Sequence, residues 1–381
     1  MHYPTYSCYF PKPGPFGWGR ASENLKPALD KLGISTYHAE TQNHTTEAGR
    51  VVLSAVSDFR FEYTSDRMGK KNVGYAFIEN NMIASAYAYK ANRLWDHVVC
   101  GSQWMKDWLE ELMPGKCSVA VQGVERNEFY PISRETERGG LAFTDYFTVG
   151  SFGKFELRKS QDIVIKAMQV FCERHKDVKL IYNWHNDWPQ LIRDFAWCNH
   201  SLIKMPYSMQ DSRYRDGSFF ESLLDAHGIN DRMNASYLHP NNWDSLVTRN
   251  SGMLEWYRSC DVILFPNRCE AGTNLCLMEA LASGVPCIAS DATGHTDITR
   301  QDWYPHKDLL LTCGKPKPFQ QGDLPLGLWH EPCLDEVVSK LEYAYRMKED
   351  LMKRRHEDGL RGHLTWDQTA GSLYQAMRSQ L

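Results

Sequence analysis

Residues 261–298 read DVILFPNRCEAGTNLCLMEALASGVPCIASDATGHTDI, and this stretch decides the fold. A short β-rich run at 262–265 breaks at a proline, and a polar loop follows. The apolar residues from 275 to 281 then recur with the period of a helix, which Gly284 ends before a second apolar run at 285–289. The order strand, loop, helix, strand predicts a βαβ unit, the repeating element of parallel sheets.

The loop between the predicted strand and helix is suited to an anion. At a helix N-terminus, unpaired backbone N–H groups and the positive end of the helix dipole favour a phosphate. Gly272 allows the backbone to come close to a ligand. Glu270 and Glu279 stand at the two ends of the loop and first helical turn, where ligand hydroxyls need acceptors. This pattern indicates a nucleotide-sugar site, and the alternative is an ordinary βαβ turn with solvated glutamates.

The same stretch resembles the donor-site motif of retaining family-4 glycosyltransferases of the GT-B fold. That motif is written E-x7-E and is followed by E-A-x-A-x-G-x-P-V-I. Its second part is matched closely by EALASGVPCI at residues 279–288. Its first part departs by one residue, because eight residues rather than seven separate Glu270 from Glu279.

The resemblance implies roles for the residues of this stretch. Glu270 would bind hydroxyls of the donor sugar, and Glu279 would contact the ribose. The remaining donor-binding residues that it implies are Gly272, Thr273, Asn274 and Leu275.

Length and composition limit the other classes of protein. The 381 residues fit two domains of ordinary size, with the 42% hydrophobic and 24% charged residues of a soluble globular protein. A net charge of −4 disfavours a broadly basic nucleic-acid surface. We find neither a signal peptide nor an apolar run long enough for a membrane span, so a cytoplasmic location is expected. Eleven irregularly spaced cysteines without a C-x-x-C pair favour a reduced compartment and disfavour zinc.

A glycine-rich segment, GPFGWG at residues 14–19, precedes Arg20 and a helical pattern. Such a segment binds an anion or simply makes a tight connection without a ligand. The resemblance places Gly17, Gly19 and Arg20 at the cleft between two domains, with Arg20 near the donor phosphate or the acceptor.

Residues 72–80 read NVGYAFIEN, which predicts a buried strand that ends in a carboxylate and an amide. Open α/β sheets bind their ligands at strand ends. The segment is similar to the G-Y-x-x-x-E strand of some family-4 enzymes, which makes Glu79 the candidate for binding acceptor hydroxyls or taking a proton. A solvated glutamate at a strand end is the alternative.

Another candidate site segment follows the predicted strand at 147–153. Its loop carries Lys154, Arg158 and Lys159 at the start of a helix, where cations and backbone amides together can hold a diphosphate. The resemblance matches Lys154 and Lys159 to an Arg/Lys pair on the donor phosphates, with Lys154 in place of the usual arginine. A lysine lacks the fork of an arginine and orients a phosphate less strictly. Solvated loop lysines are the alternative.

The resemblance implies an α/β GT-B fold, with two Rossmann-like domains whose parallel sheets face a central cleft. We predict an acceptor-binding domain at residues 1–145, closed by a linker at 132–145. We also predict a nucleotide-sugar-binding domain at 146–365 and a C-terminal helix at 366–381 that packs back on the first domain. The polar and aromatic residues 184–235 are left without assigned elements.

The resemblance also implies the function, which is that of a retaining hexosyltransferase. It would move a sugar from a nucleotide-diphosphate sugar to a hydroxyl of a glycan, a glycolipid or a protein-linked sugar. No D-x-D motif occurs, so we expect catalysis without a metal or another cofactor. The alternatives are a transferase that modifies a nucleic-acid base, a nucleotide-sugar epimerase and a non-catalytic sugar-binding GT-B protein. A peripheral contact with a membrane and the oligomeric state stay open.

Overall fold

The structure is a computed structural model, and it describes most of the chain. The described residues are 5–14, 17–38, 46–47, 49–63, 67–131, 145–184, 186, 188–198, 200–205, 217–229, 236–237, 249–354 and 359–381. The linker predicted at 132–145 therefore lies outside the described residues except for its last residue, and the predicted domain boundaries stay predictions.

The first half of the chain forms a six-stranded parallel sheet. The strands of this half are β1 (Tyr6–Phe10), β2 (Ser35–His38), β3 (Thr46–Glu47), β4 (Val51–Ala55), β5 (Arg67–Met68), β6 (Lys71–Ala76), β7 (His97–Cys100) and β8 (Cys117–Val119). The sheet order is β2-β1-β4-β6-β7-β8, while β3 and β5 pair separately. Its helices are α1 (Gly17–Asp30), α2 (Asn81–Ser85), α3 (Ala88–Leu94) and α4 (Gln103–Leu112).

The second half forms another six-stranded parallel sheet and an antiparallel hairpin. Its strands are β9 (Phe147–Phe152), β10 (Val178–Asn183), β11 (Ser236–Tyr237), β12 (Val262–Phe265), β13 (Cys287–Ser290), β14 (Leu310–Leu311), β15 (Lys317–Gln321) and β16 (Leu324–Trp329). The sheet order β11-β10-β9-β12-β13-β14 is that of a Rossmann fold. Because helices cover both faces, β9 and β12 are buried along their whole length.

The helices of the second half surround this sheet, and a last helix leaves it. They are α5 (Gln161–Arg174), α6 (Pro189–Trp197), α7 (Gly217–Ala226), α8 (Arg249–Ser259), α9 (Leu275–Ala282), α10 (Thr296–Thr299), α11 (Leu334–Arg346), α12 (Lys348–Lys353), α13 (Gly359–His363) and α14 (Trp366–Arg378). Helices α6 and α7 lie within residues 184–235, a region to which no elements were assigned from the sequence.

Helix α14 crosses back to the first half. The side chains of Trp366 and Leu373 are buried in one core with Leu25 and Leu29 of α1. Its start is fixed by a capping box, in which the Thr365 hydroxyl accepts from a backbone N–H and the N-cap backbone donates in return. These observations and the two six-stranded parallel sheets confirm the predicted GT-B architecture.

The strand expected at residues 285–289 begins two residues later than predicted, at Cys287. The reason is the end of α9. Gly284 has a positive φ of 73° and donates to Leu281, and the Val285 N–H donates to the Ala280 carbonyl. This glycine C-cap keeps Val285 with the helix, and the strand starts only after Pro286.

Candidate functional site

Two loops meet where the strand order of the second sheet reverses. The 153–160 loop follows β9, and the 266–274 loop follows β12, the neighbour of β9. The carboxyl ends of strands at such a reversal are the ligand-binding edge of doubly wound sheets. The sequence-predicted residues Lys154, Lys159, Glu270 and Gly272 are therefore brought to one edge.

Glu270 is buried in the 266–274 loop and is held by two cations. Its Oε1 accepts from Lys159 Nζ at 2.6 Å, and its Oε2 accepts from Arg158 Nη1 at 2.8 Å. The side-chain amide of Asn267 also donates to Oε1. Burial by itself would raise the pKa of Glu270, but Arg158 and Lys159 outweigh it and hold the pKa at about 2. Glu270 is thus a permanently ionised acceptor.

Arg158 is the functional residue that the sequence analysis placed in the loop without assigning it a role. Besides Glu270, it contacts Glu156 through Nε at 2.7 Å and Glu79 of the first half through Nη1 at 3.4 Å. Burial would lower the pKa of its guanidinium, but these three carboxylates outweigh burial and raise it. The signal in the sequence was an arginine beside Lys159 at a helix start, since arginine is the cation that can serve several carboxylates with one planar group.

Lys154 has different partners from those of Lys159. Its Nζ lies 2.7 Å from Glu156 Oε1 and 4.8 Å from the ring centroid of Trp188. The cation pair on Glu270 is therefore formed by Arg158 and Lys159, while Lys154 is joined to that pair through Glu156. The arginine fork that position 154 lacks is supplied at position 158.

Arg268 is fully buried and connects the two loops. Its Nη1 and Nη2 donate to the two carboxylate oxygens of Asp162 at 2.7 and 2.8 Å, and its Nε donates to Glu331 at 2.8 Å. Nη1 also donates to the Leu157 carbonyl at 2.8 Å, and the Arg268 backbone N–H donates to the Arg158 carbonyl at 2.7 Å. A buried charge needs such partners, so this arginine fixes the loop that carries Arg158.

Glu79 lies beyond the end of β6 rather than within the strand, which ends at Ala76. Its carboxylate is the first-half group closest to the cations, at the 3.4 Å from Arg158 given above. Burial raises the pKa of Glu79, and Arg158 only partly offsets this. The predicted acceptor-side residue is therefore brought to the predicted donor-side loops.

The 266–274 loop packs tightly against the first half. A Cβ added to Gly272 would lie 2.8 Å from the Phe77 ring, so glycine is required there by a close approach. The Ser102 hydroxyl donates to the Ala271 carbonyl at 2.6 Å, which ties α4 to the same loop. Thr273 is buried, and Leu275 packs at the border of the cores of both halves.

Asn274 precedes α9 with a positive φ of 63° and is oriented by a buried histidine. His295 Nδ1 lies 3.1 Å from the Ser290 carbonyl, which can only accept, so this nitrogen carries the proton of the neutral ring. His295 Nε2 then accepts from the Asn274 amide at 3.4 Å. Burial lowers the pKa of His295 to about 4, which keeps the ring neutral.

Glu279 is buried in α9 and has a neutral partner. Its Oε2 accepts from the Tyr257 hydroxyl at 2.9 Å. Burial raises its pKa against the opposing effects of the nearby Arg20 charge and the Tyr257 hydrogen bond. Arg20 itself pairs with Glu128 at 3.1 Å and Glu23 at 3.0 Å. The structure thus brings Arg20 of α1 close to Glu279 of α9.

The glycine-rich segment was predicted to precede a helix, but its second half belongs to helix α1. Gly17 is the first residue of the helix, and Gly19 lies in its first turn. A Cβ on Gly19 would collide with the backbone of Gly14, whereas Gly17 has open space around it. Residues 15–16 of the segment lie outside the described residues. Gly19 is thus explained by packing, and ligand contacts of Gly17 and Gly19 stay predictions.

Two general properties of the described residues bear on the site. In this part of the chain, no group of three or more His, Cys, Asp or Glu side chains is arranged as a metal site. Within the same ranges, no helix is both long and apolar enough to cross a membrane.

Comparison with known families adds the class of protein. Residues 241–322, which include the 266–274 loop and α9, match the family model described as Glycosyl transferases group 1. No curated protein sequence matches the chain. The GT-B fold and the family match together define a glycosyltransferase, so the predicted enzyme class is confirmed.

Solved structures similar to the chain cover it nearly end to end. Sucrose-phosphate synthase from Thermosynechococcus elongatus is 13% identical with a TM-score of 0.64, and the match covers 100% of this chain and 99% of that one. HepE from Anabaena, in complex with UDP and glucose, is 12% identical with a TM-score of 0.59, over 99% and 100%. α,α-Trehalose 6-phosphate synthase from Burkholderia multivorans is 10% identical with a TM-score of 0.62, over 100% and 99%. At such identities the likeness concerns the fold.

Proposed function

We propose that the protein is a retaining, metal-independent glycosyltransferase of family 4. It moves a hexose or similar sugar from a nucleotide-diphosphate sugar to a hydroxyl of a glycan, a glycolipid or a protein-linked sugar. The observation that carries the proposal is the contact of Glu270 with both Arg158 and Lys159, at 2.8 and 2.6 Å, where the strand order of the sheet reverses. The HepE structure with UDP and glucose supports a nucleotide-sugar donor for this fold.

Each group around this contact has a role in holding the donor. The diphosphate is held by Arg158 and Lys159, with Lys154 released from Glu156 to join them, and by the N–H groups at the start of α9. Glu270 accepts from hydroxyls of the sugar, because it stays ionised. Glu279 accepts from hydroxyls of the ribose. Charge neutralisation by these cations takes the place that a metal ion occupies in other transferases.

The reaction follows from this arrangement. The bond between the anomeric carbon and the diphosphate oxygen breaks, and its electron pair goes to the diphosphate, whose developing charge the cations stabilise. The acceptor hydroxyl forms the new bond on the face that the diphosphate leaves, which retains the configuration. The proton of that hydroxyl passes to Glu79, whose raised pKa suits it to hold a proton.

We further propose a cytoplasmic location, in which nucleotide sugars are available to the enzyme. The acceptor contacts the first half at Glu79, and a glycan or glycolipid hydroxyl is the class of group that this carboxylate can bind. The net charge of −4 disfavours a nucleic-acid acceptor.

The test is a screen of UDP-, GDP- and ADP-sugars for consumption, with and without EDTA. We expect one donor class to be consumed equally in both conditions, and the anomeric configuration of the product, read by NMR, to equal that of the donor. Lys159→Ala should lower kcat/KM by about 100-fold, because the variant loses a positive charge that stabilises the leaving diphosphate. Lys353→Ala is the matched control, since Lys353 is 76% exposed and pairs only loosely with Asp350 at 3.3 Å.

Three outcomes would contradict the proposal in different ways. Activity abolished by EDTA would refute metal independence, and inversion at the anomeric carbon would refute retention. A changed sugar configuration within the intact nucleotide sugar, without transfer, would show an epimerase instead.

A further inference from the structure

The hairpin of β15 and β16, residues 317–329, is anchored in the core of the second half. The side chains of Phe319, Leu326 and Trp329 are buried there. The rings of Phe319 and Trp329 stack with centroids 5.3 Å apart. The hairpin therefore moves as part of the second half.

The outer strand of this hairpin binds the turn of the first half that carries Glu79. Trp329 Nε1 donates to the Glu79 carbonyl at 2.9 Å, and the Leu328 backbone N–H donates to Asn81 Oδ1 at 2.8 Å. A Cβ on Gly327 would lie 2.9 Å from the Glu79 carbonyl oxygen, so the two backbones are in close contact. The two bonds hold the chain directly after the Glu79 side chain, one at the Glu79 carbonyl and one at the Asn81 side chain.

The two residues that directly follow β16 are joined to the buried Arg268. The His330 N–H donates to the Arg268 carbonyl at 3.1 Å, and Glu331 lies 2.7 Å from Arg268 Nη2. Arg268 in turn fixes the loop of Arg158, as described above. The path from Glu79 through the hairpin and Arg268 thus returns to Arg158, which contacts the Glu79 carboxylate directly.

We propose that the 317–329 hairpin positions Glu79 against Arg158 and so determines whether the donor sugar passes to an acceptor hydroxyl or to water. The inference rests on the proposed function. Two of the groups proposed to hold the donor, Lys159 and Glu270, contact each other within the second half and do not depend on the two hairpin bonds. An acceptor hydroxyl needs Glu79 in place, whereas water reaches the anomeric carbon without being held and can give its proton to solvent.

The experiment compares transfer with hydrolysis in the same reaction. The protein is incubated with the nucleotide sugar that the donor screen identifies and with glucose, galactose or mannose as the acceptor. The disaccharide and the free sugar formed are then quantified. Trp329→Phe keeps the stacked ring and removes the N–H donor, and Asn81→Ala removes the other bond from the opposite side. We expect either change to lower the ratio of disaccharide to free sugar about tenfold, the effect of one lost hydrogen bond.

The control variant is Leu328→Ala, which keeps the backbone N–H and removes a side chain that is 43% exposed. It should leave the ratio unchanged. Amide hydrogen exchange of residues 79–86 with and without UDP gives a second readout, which needs no acceptor. UDP should slow this exchange in the wild type, and less so in Trp329→Phe and Asn81→Ala.

The outcomes separate the two proposals. If the wild type consumes no nucleotide sugar, the proposed function fails, and this inference fails with it. If the wild type consumes a nucleotide sugar but both variants keep the wild-type ratio of disaccharide to free sugar, the hairpin inference alone is overturned. If no sugar of the panel is glycosylated, hydrogen exchange decides, and wild-type exchange in both variants overturns the inference.

Discussion

Glu270 and Glu279 are buried to nearly the same extent, with 5% and 9% of their surface exposed, yet their pKa values shift in opposite directions. The pKa of Glu270 falls to about 2, and that of Glu279 rises. Burial raises both, so burial cannot be the cause of the difference. The cause is the partner, because two cations contact Glu270, whereas a neutral tyrosine hydroxyl contacts Glu279.

The comparison shows how one loop and its helix can present two kinds of carboxyl group. At one end, the lowered pKa of Glu270 keeps its carboxylate charged and able to accept hydrogen bonds at any physiological pH. At the other end, the raised pKa of Glu279 means that its carboxyl is protonated more easily, and hydrogen-bond donors are needed to stabilise the charged form. The difference between the two pKa values should change when the partners of the two carboxyl groups are removed one at a time.

Arg158→Ala is expected to have the largest effect. Glu270, Glu156 and Glu79 lose their shared cation, so the free energy of unfolding should fall by about 3–5 kcal/mol, the usual result of breaking a buried pair. The pKa of Glu270 should rise toward its ordinary value. Urea unfolding at neutral pH measures the first effect. Arg300→Ala is the control, since its 3.3 Å contact with Asp291 is largely exposed, and a loss no greater than about 1 kcal/mol is expected there. Equal losses in both variants would contradict the shared-cation interpretation.

His295→Asn should have a smaller effect that depends on pH. His295 lies beside Glu270 with a pKa lowered from 6.5 to about 4. Between these values the unfolded chain binds a proton that the folded chain does not, so stability falls as the pH falls from 6.5 to 4 and is unaffected above 6.5. This term should reach about 3 kcal/mol at pH 4. Asparagine can donate in place of Nδ1 without titrating.

The measurement for His295 is the free energy of unfolding of wild type and variant at several pH values between 4 and 7. The difference between the two proteins should change by about 3 kcal/mol over this range. The exposed His363 provides the control as His363→Gln. A constant difference for His295→Asn would show that the ring is protonated in the folded protein at low pH.

Tyr257→Phe should have the smallest effect, and it tests the contribution of the one hydroxyl that donates to Glu279. Loss of the hydroxyl donor should raise the pKa of Glu279 further and lower the free energy of unfolding by about 1 kcal/mol at pH 7. The loss should shrink as the pH falls and the carboxyl takes up a proton. Tyr304→Phe is the control, because the buried Tyr304 hydroxyl has no hydrogen-bond partner among the described residues. A loss at pH 4.5 equal to that at pH 7 would argue against an ionised Glu279.

The fold could be predicted because its signals are local. The succession of apolar runs around Glu270, with Gly284 at the end of the helix, predicts a βαβ unit from neighbouring residues alone. Gly284 also shows the limit of this reasoning, since its C-cap shifts the next strand by two residues. The aromatic and polar residues of 184–235 hide the period of α6 and α7, and their existence becomes clear only in the packed structure.

The site could be predicted in its composition but not in its pairing. Lys159, Glu270 and Glu79 were all named from the sequence, but not the role of Arg158, which contacts both glutamates. Its contact with Glu79 depends on the packing of the two halves. Lys154 and Lys159 look equivalent in the sequence, and only tertiary contacts with Glu156 and Trp188 distinguish Lys154. The full burial of Arg268 could not be expected either, because a charge is buried only where distant carboxylates accompany it.

The return of α14 to the first half has a consequence for folding during synthesis. Trp366, Ala370 and Leu373 complete the hydrophobic core that also contains Leu25 and Leu29, so that core stays open until α14 has left the ribosome. The whole second sheet is synthesised before that moment and can fold without waiting. We therefore expect the first half to finish folding last, although it is translated first.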